Sequence, residues 1–90
     1  MIVGEVVGSL WATRKDEKLN GLTFLVVKPH SYDENTSKEC FVAADHAGAG
    51  IGDTVLVTKG SAARSSMKDQ NVPIDAVIVG IVDSLEMNDE

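Results

Sequence analysis

The sequence predicts an all-β fold, a small five-stranded OB-like β-barrel with one short helical turn. Three observations lead there. Five short runs rich in Val, Ile and Leu are separated by turn-forming residues. Glycines interrupt the first and last of these runs, as they do at the corners of small barrels. No stretch of useful length has the spacing of an amphipathic helix, which leaves a rolled sheet as the way to enclose a core.

The first strand spans residues 2–11, IVGEVVGSLW. Gly4 and Gly8 mark a bend or a close backbone approach. Trp11 is the only tryptophan and reads as a packed residue at the strand end. Residues 12–21 are polar, carry charges of both signs, and end in Asn20-Gly21, a strong turn signal. The second strand is residues 22–28, LTFLVVK, closed by Pro29. Residues 30–38 form a loop in which His30 is exposed. The third strand is residues 39–44, ECFVAA. Cys40 reads as a buried, inert thiol, since no neighbour in sequence would lower its pKa.

Residues 45–64, DHAGAGIGDTVLVTKGSAAR, organise the rest. Gly48, Gly50 and Gly52 stand two apart, a density that selects for positive φ or for backbones in close approach. A phosphate loop would need a helix directly after the glycines, but Asp53 and a strand follow; no Gly-Lys-Ser/Thr is present. Asp45 beside His46 suggests a catalytic pair. Ser61 is the nearest nucleophile, yet no spacing brings it to His46 and there is no Gly-x-Ser-x-Gly elbow. Asp45 is therefore expected to bond to nearby backbone in the turn. The fourth strand is residues 54–58. Ser61 caps a short helical turn through Ala62 and Ala63. Arg64, one turn in, suits a carboxylate or carbonyl, either within the chain or across a subunit boundary. Residues 68–73 form a loop, and the last strand is residues 75–82, DAVIVGIV. Residues 1–83 are one domain, and residues 84–90 a short acidic tail expected to fray.

Totals narrow the function. Ninety residues make a small domain that needs help from a disulfide, a metal or a partner. Cys40 is the only cysteine, and one Cys with two separated His (His30, His46) does not supply zinc-ligand spacing. No metal, no cofactor and no catalytic residue are expected. A net charge of −6 and 4% aromatic residues argue against nucleic acid. No run is long and apolar enough to cross a membrane, and no signal peptide is expected at the first residues. The lone cysteine fits a reducing cytoplasm.

Self-association follows from the two faces of the strands. In the last strand Val77, Val79 and Ile81 alternate with Ala76, Ile78 and Val82, so both faces are apolar. In the second, Leu22, Phe24 and Val26 alternate with Leu25 and Val27. One barrel has one inside. With no helix expected over the outside, another copy of the chain is the simplest cover, and a homo-oligomer is predicted.

The residues also resemble the CcmL/EutN family of bacterial microcompartment vertex proteins, nearly end to end. The resemblance rests on Gly4-Glu5-Val6-Val7-Gly8 with Trp11-Ala12-Thr13, then Val42-Ala43-Ala44-Asp45 into Gly48-Ala49-Gly50-Ile51-Gly52-Asp53. It continues through Val55-Leu56-Val57, Gly60-Ser61-Ala62-Ala63-Arg64, Pro73-Ile74-Asp75 and Ile78-Val79-Gly80-Ile81-Val82-Asp83. The order and spacing of Asp-x-x-Gly-Ala-Gly-x-Gly, Gly-Ser-x-Ala-Arg and Val-Gly-Ile-Val-Asp carry it. Residues 30–38 and the acidic tail bear no family motif.

The resemblance implies a cyclic homopentamer, structural and not an enzyme. It implies a place at the five-fold vertices of a carboxysome-like polyhedral shell in the bacterial cytoplasm, among hexagonal shell proteins. It implies that Gly48, Gly50, Gly52, Ser61 and Arg64 lie near subunit contacts or the central opening. The competing reading is a monomeric OB-like module binding a small ligand or oligonucleotide. Oligomeric mass separates the two.

Overall fold

The computed structural model describes residues 1–10, 21–30, 39–60, 63 and 74–83. Among them are five strands: β1 (Ile2–Leu10), β2 (Thr23–Pro29), β3 (Phe41–Asp45), β4 (Thr54–Lys59) and β5 (Ala76–Ile81). They form a closed barrel in the order β1-β2-β3-β5-β4, with β4 pairing back onto β1. All pairings are antiparallel except β3 with β5. This is the five-stranded OB-like barrel the sequence predicts. Pro29 is the last residue of β2 and pairs with Gly4, at the strand end where a residue without an N–H is tolerated. The readings placed on Trp11, on the loops of residues 12–20, 31–38 and 68–73, and on the tail lie outside the described residues.

One residue from each inward position fills the interior. Val6, Leu25, Val27, Ala43, Val55, Val57, Ala76 and Ile78 form a single cluster. Their exposure runs from 0% to 4%. Burying each valine or isoleucine contributes about 1.5–3 kcal/mol. The barrel is narrow, so β-branched side chains reach its axis and alanine serves at Ala43 and Ala76. Ile2 and Phe41 pack against the cluster at the end where β3 begins. There the Lys59 ammonium lies 4.0 Å from the centroid of the Phe41 ring, a cation–π contact. Ala47 and Ala49, which follow β3, pack against the cluster from its other end.

Two β-bulges change the facing of side chains that simple alternation predicts. Val6 pairs with Val27 and Gly8 with Val26, which leaves Val7 as an extra residue in β1. Val57 pairs with Ile78 and Leu56 with Gly80, which leaves Val79 extra in β5. A bulge bends and twists its strand, which a short strand needs to wrap a small barrel. It also shifts the alternation by one. Ile81 therefore falls opposite Val55 and does not continue the face of Val77.

A second cluster lies on the outside of the sheet. Leu10, Phe24, Ala44, Val77 and Thr58 are in register across all five strands. Ala63 packs on Ala44 and Val77, with Phe24 and Ile74 beside them. The Ala63 backbone is helical, and its N–H donates to the Gly60 carbonyl at 3.1 Å. The expectation that no part of the chain covers the outer faces is thus corrected. Ala63 covers the middle of one, because it is small enough to lie flat on the sheet, and it is fully buried there.

Gly4 shows why the first strand carries glycine. A Cβ at Gly4 would stand 2.6 Å from Val27 Cγ1 and 2.8 Å from the Lys28 carbonyl oxygen. The second of these atoms is backbone and moves only with β2. Gly4→Ala is expected to destabilise the fold by about 1–3 kcal/mol through overpacking, read as a lower urea midpoint with an unchanged m-value. Ile78→Val, a single methyl removed from the core, is expected to cost about 0.5–1.5 kcal/mol in the same assay.

Candidate functional site

The glycine corner between β3 and β4 is held by two aspartates. Asp45, the last residue of β3, accepts hydrogen bonds on Oδ1 from the N–H groups of Ala47 at 3.0 Å and Gly48 at 3.1 Å. This is the turn bonding the sequence predicts for Asp45. Asp53 accepts on Oδ2 from the Gly50 N–H at 2.8 Å, and its own N–H donates to the Gly50 carbonyl at 3.0 Å. Residues 50–53 are thereby a tight turn closed from both sides. Gly52, its third residue, sits at φ 95°, where a type II turn wants glycine. The Gly52 N–H then donates to the Val6 carbonyl, and the Val6 N–H to the Asp53 carbonyl, both at 2.9 Å, docking the corner on β1. The role of Asp53 is invisible in composition; the signal for it is an Asp three residues after Gly50, the spacing of a side chain that reaches back across a turn.

The corner has an inner and an outer side. Ala47 and Ala49 face the core cluster, while Gly48, Gly50 and Gly52 are exposed. Small inward residues let the corner sit low over the barrel end. The outward glycines present backbone without side chains, and Ile51 stands at the tip with 69% of its surface exposed. Gly48 at φ 79° and Gly52 at φ 95° are explained by backbone conformation alone. Gly50 is different. Its φ is not positive, and a Cβ there would meet only Asp53 Oδ2 at 3.9 Å, an ordinary contact. Among the described residues nothing requires glycine at position 50. Ser61 and Arg64 lie outside the described residues.

The arrangement offers little to chemistry. The Asp45 carboxylate is committed to backbone N–H groups, and the backbone N–H of exposed His46 donates to the Ile78 carbonyl at 3.1 Å. Among the described residues no three His, Cys, Asp or Glu side chains come together as a metal site. Two readings are corrected. Cys40 is exposed, because β3 begins one residue later at Phe41 and the thiol lies outside the barrel. His30 is half-buried, and its N–H donates to the Val3 carbonyl at 3.0 Å, extending the edge of β1.

What the surface offers instead is apolar area. Gly8, Val26 and Val42 are in register on the outside of β1, β2 and β3. Val3, Leu56 and Gly80 are in register on the outside of β1, β4 and β5. The bulged residues Val7 and Val79, together with Leu10, Val42 and Ile81, are between 36% and 45% exposed. Isolated exposed apolar residues are ordinary; two contiguous apolar rows on so small a domain are not.

Comparison with known proteins agrees with this geometry. A family profile described as "Ethanolamine utilisation protein EutN/carboxysome" matches residues 1–83. The carboxysome shell vertex protein CcmL of Thermosynechococcus vestitus is 39% identical over 85 residues, covering 94% of this chain and 86% of that one. The bacterial microcompartment shell vertex protein GrpN of Rhodospirillum rubrum is 40% identical over 86 residues, covering 96% and 97%. The solved GrpN structure, described as a pentameric microcompartment shell protein, superposes with a TM-score of 0.84 at 38% identity, covering 98% of this chain and 100% of that one. The structure of Gloeobacter violaceus CcmL superposes with a TM-score of 0.87 at 33% identity, covering 98% and 91%.

The corner yields a paired prediction. Gly52→Ala is expected to cost about 1–2 kcal/mol, the penalty of a Cβ in left-handed backbone, whereas Gly50→Ala is expected to change the stability of the isolated fold by less than about 0.5 kcal/mol. Thermal unfolding of the two variants at one protein concentration checks the contrast.

Proposed function

This chain belongs to the EutN/CcmL family, and we propose that it is a microcompartment shell vertex protein that works as a homopentamer. Five copies form a ring at the five-fold corners of a polyhedral shell, within the bacterial cytoplasm, and close it around enclosed enzymes. The observation that carries this reading is the match over the whole barrel to vertex proteins, one of them solved as a pentamer. The two outer apolar rows support it, since a ring requires surface that a monomer would leave wet.

The role is structural. Hexagonal tiles alone extend as flat sheets, and a five-fold unit at each corner supplies the curvature that closes the polyhedron. The neighbours of the ring are therefore hexagonal shell proteins. Gly48, Gly50 and Gly52, with Ser61 and Arg64, are assigned to subunit contacts or to the central opening. The bare outward backbone of the glycine corner supports that assignment, as does a glycine at position 50 that nothing among the described residues requires. Arg64 supplies a planar, five-donor side chain suited to carboxylates or carbonyls across a boundary.

Mixing the purified chain with a hexagonal shell protein and imaging the products tests the function. Closed polyhedra that form only when the chain is present are expected; sheets or tubes formed equally with and without it would count against a vertex role. Arg64→Ala is expected to shift the ring toward smaller species at micromolar concentration. An unchanged five-chain mass for that variant would remove Arg64 from the contact.

A further inference from the structure

We propose that the ring contact joins two different faces of the barrel: the face of Gly8, Val26 and Val42 on one subunit and the face of Leu56, Val79 and Gly80 on the next. The inference rests on the pentamer reading and goes beyond it by assigning the residues that meet.

Symmetry sets the requirement. A contact in which one patch meets its own copy closes on itself as a dimer, so a five-membered ring needs a head-to-tail contact between two unlike patches. Among the described residues, the barrel carries two apolar rows that Ala63 does not cover. In the closed strand order the row Gly8–Val26–Val42 centres on β2, while the row Val3–Leu56–Gly80 centres on β4, so the two lie on different sides of the barrel. The outer surface at Ala44 and Val77 is already taken by Ala63 of the same chain. A subunit with an apolar patch on each of two sides is shaped to stand in a ring.

The two patches share a local construction. Each contains a β-bulge whose extra residue is valine followed by glycine, Val7-Gly8 in β1 and Val79-Gly80 in β5. The bulge pushes the valine outward, to 41% exposure at Val7 and 36% at Val79. The glycine beside it leaves a notch over its cross-strand partner. A Cβ at Gly8 would lie 3.7 Å from the Val26 Cβ and 3.8 Å from its Cγ2, and one at Gly80 3.9 Å from the Leu56 Cβ, so among the described residues each would touch only its cross-strand partner. Knob and notch on each side suit an apolar seam between like-charged subunits. With a net charge of −6 per chain, association needs contact surfaces free of acidic groups, and neither row contains one.

One charged substitution per face tests this. Val42→Asp blocks the first face and Val79→Asp the second, and both positions are exposed in the single chain. Native mass spectrometry is run on the wild type, on each variant and on an equimolar mixture at high micromolar concentration. Each variant is expected as a single chain. The mixture is expected to give a two-chain species, because each variant keeps the face the other has lost. Only folded subunits can form that species, and Val42→Ser or Val79→Ser replaces an aspartate variant whose circular dichroism departs from the wild type. A five-chain mass retained by either blocked variant would overturn the assignment, and so would two single-chain variants that form no mixed dimer. A wild-type chain that runs as a monomer would instead overturn the pentamer reading itself.

Discussion

A five-stranded barrel has room inside for a single layer of small and β-branched side chains, and this limit governs the molecule. The cluster of Val6, Leu25, Val27, Ala43, Val55, Val57, Ala76 and Ile78 fills it. The strands carry more apolar residues than that interior can hold. The surplus must lie outside, where it either finds cover or stays in water at about 25 cal/mol for each Å². Ala63 covers part of it from within the chain, at Ala44 and Val77. The remaining rows on β1–β2–β3 and on β1–β4–β5 are left without cover from Ala63.

The connection between β3 and β4 solves a different problem. It must cross one end of the barrel and seal it. Alanines at positions 47 and 49 seal, glycines at 48, 50 and 52 leave the outside bare, and the carboxylates of Asp45 and Asp53 take up the N–H groups of Ala47, Gly48 and Gly50. The corner is thus polar chemistry used for shape. An Asp-His pair in sequence becomes, in the fold, a turn staple beside an exposed side chain.

Much of this was legible in the sequence, because period-two apolar runs and turn residues report directly on strands and connections. All five strands fall on the five runs, and the bonding of Asp45 follows from its position ahead of Ala47 and Gly48. Three features were hidden for physical reasons. The bulges at Val7 and Val79 depend on how two strands pair, which no single run encodes, and they moved Ile81 off the face assigned to it. The helical turn at Ala63 was legible, but its cover of Ala44 and Val77 depends on a tertiary contact that no local pattern encodes. Cys40 was placed inside a strand that begins one residue after it. The glycine corner was readable as a turn, whereas the outer rows were readable only as surplus hydrophobicity until register assigned them to two faces.

Family membership and the two-sided surface converge on one claim, that this barrel is a ring subunit. Native mass measured across a dilution series tests it most directly. The account predicts a mass of five chains that persists on dilution into the low micromolar range. A single-chain mass throughout that range would contradict it, and would leave the outer rows of Val26, Val42, Leu56 and Val79 as the surface of a monomeric binding module.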